Sequence, residues 1–141
     1  MKEGLLRKIP PSREKAENSI QAARNWLKEA ENNLTGNALN SSVLSAYLAM
    51  FHSARAMLFR DGYREKSHYC IARFLEEKYA KKNLLERKWV ELLDHYREQR
   101  HSNQYGLTFF VTENEAEKGF HAAKEFVERI EKLLESKEPK N

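Results

Sequence analysis

Asn40-Ser-Ser-Val-Leu-Ser-Ala-Tyr-Leu-Ala-Met-Phe-His-Ser-Ala-Arg-Ala-Met-Leu-Phe-Arg-Asp-Gly62 is the stretch on which the fold turns. Wound as a helix, it is apolar around most of its circumference: Val43, Leu44, Tyr47, Leu48, Met50, Phe51, Ala54, Met57 and Leu58 leave no wide polar face. Such a helix either crosses a membrane or lies in the middle of a bundle. The run Val43–Phe59 falls short of about 18 clean apolar residues and holds His52 and Arg55, so it reads as a buried helix that Gly62 stops. One stripe differs. Ser41, Ser45, His52 and Arg55 recur at helical spacing with Leu48 and Phe59. Either this is a partly solvated edge with Arg55 paired to a carboxylate, or His52 and Arg55 line a polar cleft or a subunit contact.

Upstream, Ser12 follows Pro10-Pro11 and reads as an N-cap. From there Ala16, Ile20, Ala23, Leu27, Ala30 and Leu34 form a narrow apolar seam on a long helix that ends at Gly36. Residues 1–11 read as a loosely attached arm. Downstream, Tyr63–Lys66 is a polar connector, Ser67 is placed to cap a short helix over His68–Tyr79, and Ala80–Asn83 makes the next turn. A fourth helix is predicted from Leu84 to about Asn103, with Gly106 to terminate it and Leu107–Val111 as an extended linker. Thr112-Glu-Asn-Glu115 is a capping box. It opens a fifth helix with Ala116, Phe120, Ala123, Val127, Ile130 and Leu134 on one seam, and a charged tail begins at Ser136. The two seams share their spacing, so the first and last helices lie side by side or clasp the second between them. The prediction is an all-α fold, an up-and-down bundle of four main helices plus a short fifth, spanning residues 12–135.

The composition agrees. The 141 residues are 40% hydrophobic and 33% charged, with few glycines and three prolines. The net charge of +4 permits a polyanionic partner without demanding one. Cys70 is the lone cysteine and sits among Tyr69 and Ile71, which points to a packed thiol and a reducing cytoplasm. The first ten residues are too poor in apolar side chains for a signal peptide. No membrane association, cofactor or metal is expected. There is no phosphate-cradling glycine loop and no Gly-x-Ser-x-Gly turn, and a single Glu-x-x-His element, Glu98–His101, is one short of a di-iron bundle.

The chemistry that remains lies at the end of the fourth helix, in Tyr96-Arg-Glu-Gln-Arg-His-Ser-Asn-Gln-Tyr-Gly106. Leu85, Trp89, Leu92 and Tyr96 share one helical side, and Arg100 and Asn103 continue it, so an apolar face turns cationic at its last turn. Arg97, Arg100, His101 and Tyr105, with His95 a turn earlier, are types that bind phosphate, move protons and stack on bases. Metal-independent RNA cleavage needs such groups. The same residues also suit a solvated helix end beside the helix dipole.

These blocks together resemble a known family. Tyr47-Leu-Ala-Met-Phe-His-Ser-Ala-Arg-Ala-Met-Leu-Phe59, then Gly62, Lys66-Ser-His68, Arg100-x-x-x-x-Tyr105-Gly106 and the Thr112-capped helix through Lys124-Glu-Phe-Val-Glu-Arg-Ile130 are similar to the HEPN domain, in its small stand-alone prokaryotic branch. The resemblance covers about residues 12 to 135, and its most specific block is Ala-Met-Phe-His-x-Ala-Arg-Ala. It implies a helical bundle that pairs as a two-fold homodimer, with paired Arg/His motifs meeting in one cleft. It implies either a ribonuclease toxin beside a minimal nucleotidyltransferase, or a non-catalytic nucleotide- or RNA-binding relative. On this pattern Arg100, His101 and Tyr105 occupy the catalytic motif. Arg97, Arg100, His95, Asn103, Arg55 and His52 are the candidate nucleotide- or RNA-binding residues. The chain departs from the active motif where Tyr105 replaces the catalytic His, and tyrosine, with a pKa near 10, is a poor base at neutral pH. Leu107 stands where some nuclease members carry a tyrosine that the partner enzyme modifies. The expected role is therefore a catalytically degenerate binding protein that partners a nucleotidyltransferase, the alternatives being a ribonuclease toxin and a structural adaptor.

Overall fold

A computed structural model describes residues 6–105 and 110–136, with backbone only for 101–105. It is the helical bundle expected, with one addition. The helices are α1 (Arg13–Thr35), α2 (Leu39–Asp61), α3 (His68–Leu75), α4 (Arg87–Tyr105) and α5 (Glu113–Glu135). Two short strands, β1 (Leu6–Lys8) and β2 (Tyr63–Glu65), pair antiparallel in the register Leu6↔Glu65, Arg7↔Arg64, Lys8↔Tyr63. The segment expected to hang loosely before α1 is thus tied, through residues 6–8, to the connector after α2. Neither strand is long enough to show alternation in sequence.

The local signals act as read. Ser12 caps α1 by accepting from the Lys15 amide at 3.1 Å. The capping box is closed in both directions: Glu115 N–H donates to Thr112 Oγ1 at 3.1 Å, and Thr112 N–H to Glu115 Oε1 at 3.2 Å. Such a cap stabilises a helix start by about 1 kcal/mol. Gly62 ends α2 at φ 88°, in the left-handed region. Ser67 precedes α3 in extended conformation, but its side chain makes no cap hydrogen bond. Its hydroxyl meets Cys70 Sγ at 3.3 Å instead.

The second helix is the hub, contacting α1, α3, α4, α5 and β2. Ala46, Ala49, Met50, Ala54, Ala56, Met57 and Leu58 are fully buried along it. Ala23, Ala30 and Ala123 are fully buried on α1 and α5, small residues that let these helices approach closely. The predicted seams face inward, with Ala16 and Ile20, and Ala116, Val127 and Ile130, in the core. Cys70 is buried, as a packed thiol should be.

Two elements differ from the sequence reading. Beyond α3 the chain widens into a π-helical turn, Glu76–Ala80, which carries Tyr79 into the core, where its hydroxyl meets Arg60 and Asp61. The fourth helix starts at Arg87 rather than Leu84, after a turn in which Asn83 takes a left-handed φ of 60°. Its inward residues are Trp89, Val90 and Leu93, with Leu92 and Tyr96 only half-buried. The face is rotated because α4 packs chiefly against α2 and α3.

That rotation positions the polar end. One and two turns past Leu93, on the same inward line, come Arg97 and Arg100. A packed face therefore runs into two guanidinium groups that α2 and α3 hold partly buried.

Candidate functional site

The site grows from three helices. Tyr47, Phe51 and Arg55 follow each other at four-residue steps along α2 and so share a face. The start of α3 supplies His68 and Tyr69, and α4 supplies Asp94, Arg97 and Arg100. The Arg100 guanidinium lies 5.8 Å from the Tyr47 ring centre. The Tyr47 hydroxyl is hydrogen-bonded to His68 Nδ1 at 2.9 Å, and the His68 ring stacks on Phe51 at 3.9 Å. On the far side of Phe51, the Arg55 guanidinium sits 4.6 Å from the ring centre and is held by Glu65. Cation, ring, imidazole, ring and cation thus form one continuous row. Arg55 is thus paired to a carboxylate, and it also lines a pocket with His52.

A second row lies beside it. Half-exposed Tyr69 is flanked by Arg73 at 5.2 Å and Arg97 at 5.3 Å. Each such contact is worth about 0.5–1 kcal/mol, and together they splay three arginines over two tyrosine rings. Asp94 pairs with Arg73, and its nearer approach to Arg97 is 3.6 Å, beyond hydrogen-bonding range. The buried Nε atoms of Arg73, Arg97 and Arg100 have no hydrogen-bond partner among the described residues. Asp94 Oδ1 and Gln99 Oε1 are likewise buried without a partner, and guanidinium groups bind planar or tetrahedral oxyanions through their outer nitrogens.

The electrostatics follow from this crowding. Burial, then the charges of Arg100 and Arg55, push the His68 pKa down from its ordinary value to about 4. Burial raises the Tyr47 hydroxyl pKa, against the pull of Arg100 and Arg97. At neutral pH the pair is an uncharged imidazole bonded to a protonated phenol. The folded His68 pKa lies below the unfolded value of about 6.5, so folding excludes a proton in that window. Its cost is absent above about pH 6.5 and complete below about pH 4, so this group makes stability fall as pH drops between them. A titration of His68 followed by NMR should show a midpoint near 4, moving upward in Arg100→Gln. A midpoint at the ordinary value of about 6.5 would contradict the arrangement.

The predicted residues divide. Arg97 and Arg100 meet in the cluster. His52 and Arg55 line a separate pocket of about 330 Å³ beyond Phe51. His95 is exposed and packs edge-on against Tyr96 at 5.0 Å. The side chains of His101, Asn103 and Tyr105 lie outside the described residues, although the helical backbone reaches Tyr105. The sequence reading passed over Tyr47, His68, Tyr69 and Arg73 as site residues. Among the described residues no cluster of three or more His, Cys, Asp and Glu is arranged to hold a metal ion, and no helix is long and apolar enough to cross a membrane.

The bundle and this Arg-rich helix end define a helical domain class that comparison with known proteins specifies. The HEPN domain model matches residues 16–133, and the chain belongs to the HEPN family. Two proteins of Methanocaldococcus jannaschii, both named putative toxin, are 25% and 28% identical to it. The matches cover 86% of this chain in each case, and 82% and 90% of the relatives. A UPF0332 protein of Pyrococcus horikoshii is 26% identical over 67% of each chain.

Proposed function

We propose that this HEPN protein binds a nucleotide or RNA, lacks nuclease activity of its own, and works in the cytoplasm as a homodimer beside a minimal nucleotidyltransferase. The observation that carries this reading is the gathering of Arg73, Arg97 and Arg100 over the Tyr47 and Tyr69 rings. Guanidinium groups supply phosphate contacts and half-exposed Tyr69 supplies a face for a base. Tyr105 at the position of the catalytic His favours binding over cleavage.

The test is a titration of single-stranded RNA and of mononucleotides at two salt concentrations. Arg100→Ala should weaken binding by about tenfold to a hundredfold, the loss of a charged hydrogen bond of about 1.5–3 kcal/mol. It should also lower the salt slope by about 0.7 if the residue contacts one phosphate of a single strand. Binding unaffected by Arg97→Ala and Arg100→Ala would remove the cluster from recognition.

Ribonuclease activity is the second reading. His68, an imidazole hydrogen-bonded to the Tyr47 hydroxyl one ring away from Arg100, is the candidate proton carrier. In EDTA, cleavage that disappears in both Arg100→Ala and His68→Ala would establish this reading in place of the first.

A further inference from the structure

The pocket beyond Phe51 adjoins the arginine–tyrosine cluster through Arg55, and its charge runs against local stability. It is lined by Lys15, Asn18 and Ser19 of α1, His52, Arg55 and Phe59 of α2, and Arg64 of β2, with no carboxylate among its lining residues. Three cations therefore face one cavity. Glu65 neutralises Arg55 but projects from the ribbon face opposite Arg64.

Two placements are unfavourable by local rules. Lys15 lies in the first turn of α1, where the positive end of the helix dipole repels a cation. Arg64 stands directly opposite Arg7 across the ribbon, a like-charge pair on one face. Each is unfavourable in the free protein. Among the described residues, none of Lys15, Arg7 and Arg64 is in an ion pair, whereas Arg55 is. Two independent elements, a helix start and a hairpin-like ribbon, thus converge uncompensated charge on one cavity. Breaches of local consistency concentrate where a protein binds something.

We infer that this pocket is a phosphoryl-binding site, separate from the α4 cluster, with Lys15 and Arg64 as its principal donors, Arg7 at its rim and Asn18 as a neutral donor. The ligand is the phosphoryl group of a free nucleotide or of an RNA strand. An anion there turns both unfavourable placements into favourable ones, so ligand binding and thermal stability are linked through the same residues.

The test uses the full-length protein and pyrophosphate, with sodium chloride at matched ionic strength as the reference. Pyrophosphate should raise Tm saturably, by about 5 °C at saturation. Made in an Arg97→Ala/Arg100→Ala background, which silences the α4 cluster, the Lys15→Gln/Arg64→Gln variant should lose this rise, and its ligand-free Tm should equal or exceed that of the background. The background alone should keep the rise. A rise no larger than in chloride, one retained when Lys15→Gln/Arg64→Gln is added, or one abolished by the background alone would overturn the inference. Competition by ATP or by a 5′-phosphorylated single-stranded RNA then names the source of the phosphoryl group, and either upholds the site. The outcome is separable from the reading of the α4 cluster. Wild-type protein that binds no RNA but shows the pyrophosphate rise would sink the RNA reading and leave the pocket standing.

Discussion

Arg60→Ala should lower the unfolding free energy by about 3–5 kcal/mol, the range for stripping one member from a buried charged network. Arg60 is only 7% exposed, yet it makes more polar contacts than any other side chain of α2. Its Nη1 donates to the Leu134 carbonyl at 3.1 Å and reaches the Leu133 and Ser136 carbonyls at 3.4 and 3.5 Å. Its Nη2 donates to the Tyr79 hydroxyl at 3.0 Å, and its Nε to Asp61 Oδ1 at 3.3 Å. One guanidinium thus serves the orphan carbonyls at the end of α5, where a cation also complements the helix dipole. Removing it leaves Asp61 half-buried without its cation. Urea denaturation is the measurement, and Arg60→Lys should recover little, because a point charge cannot span these acceptors. A loss below about 1 kcal/mol would mean that water replaces the network without penalty.

Gly62→Val should cost about 2–3 kcal/mol. At φ 88° a side chain already pays about 1–2 kcal/mol, and a β-branched one more. A Cβ there would also lie 3.0 Å from the Ile9 carbonyl oxygen and 3.0 Å from Pro11 Cγ. The Ile9 amide donates to the Gly62 carbonyl at 3.0 Å, so relief of the clash must pull the ribbon from the end of α2. Thermal unfolding should show the loss, and faster amide exchange at residues 6–9 should accompany it. Unchanged exchange at those amides would show that the ribbon is not anchored through this glycine.

Much of the bundle was legible because its signals are local. A helix apolar on nearly all sides must be central, matching seams must face it, and Ser12 and Thr112-x-x-Glu115 mark helix starts by short-range hydrogen bonds. The ribbon was not legible, since its strands are three residues long and pair across more than fifty positions. The π-helical turn escaped for a similar reason: its geometry serves a meeting between Tyr79 and Arg60 that no local pattern encodes.

In the candidate site, Arg97 and Arg100 stood out as cations interrupting an apolar helix face. Their aromatic seats did not, because Tyr47 and Tyr69 read as ordinary core and surface residues until α2, α3 and α4 meet. His68 is bonded to a residue 21 positions away. The available signal was Tyr47, Phe51 and Arg55 at four-residue steps, a face ending in a cation within an otherwise buried helix.

The hub position of α2 has a consequence for the protein's birth on the ribosome. The helix that completes its cover, α5, is the last one synthesised. At about 5–20 residues per second, the roughly fifty residues between α2 and α5 take some 2–10 s to emerge. During that interval only α1 and the emerging α3 and α4 shield an almost wholly apolar helix. The nascent chain is therefore a ready client for a holding chaperone, and slowed translation of the α3–α4 region should lengthen its exposure to aggregation.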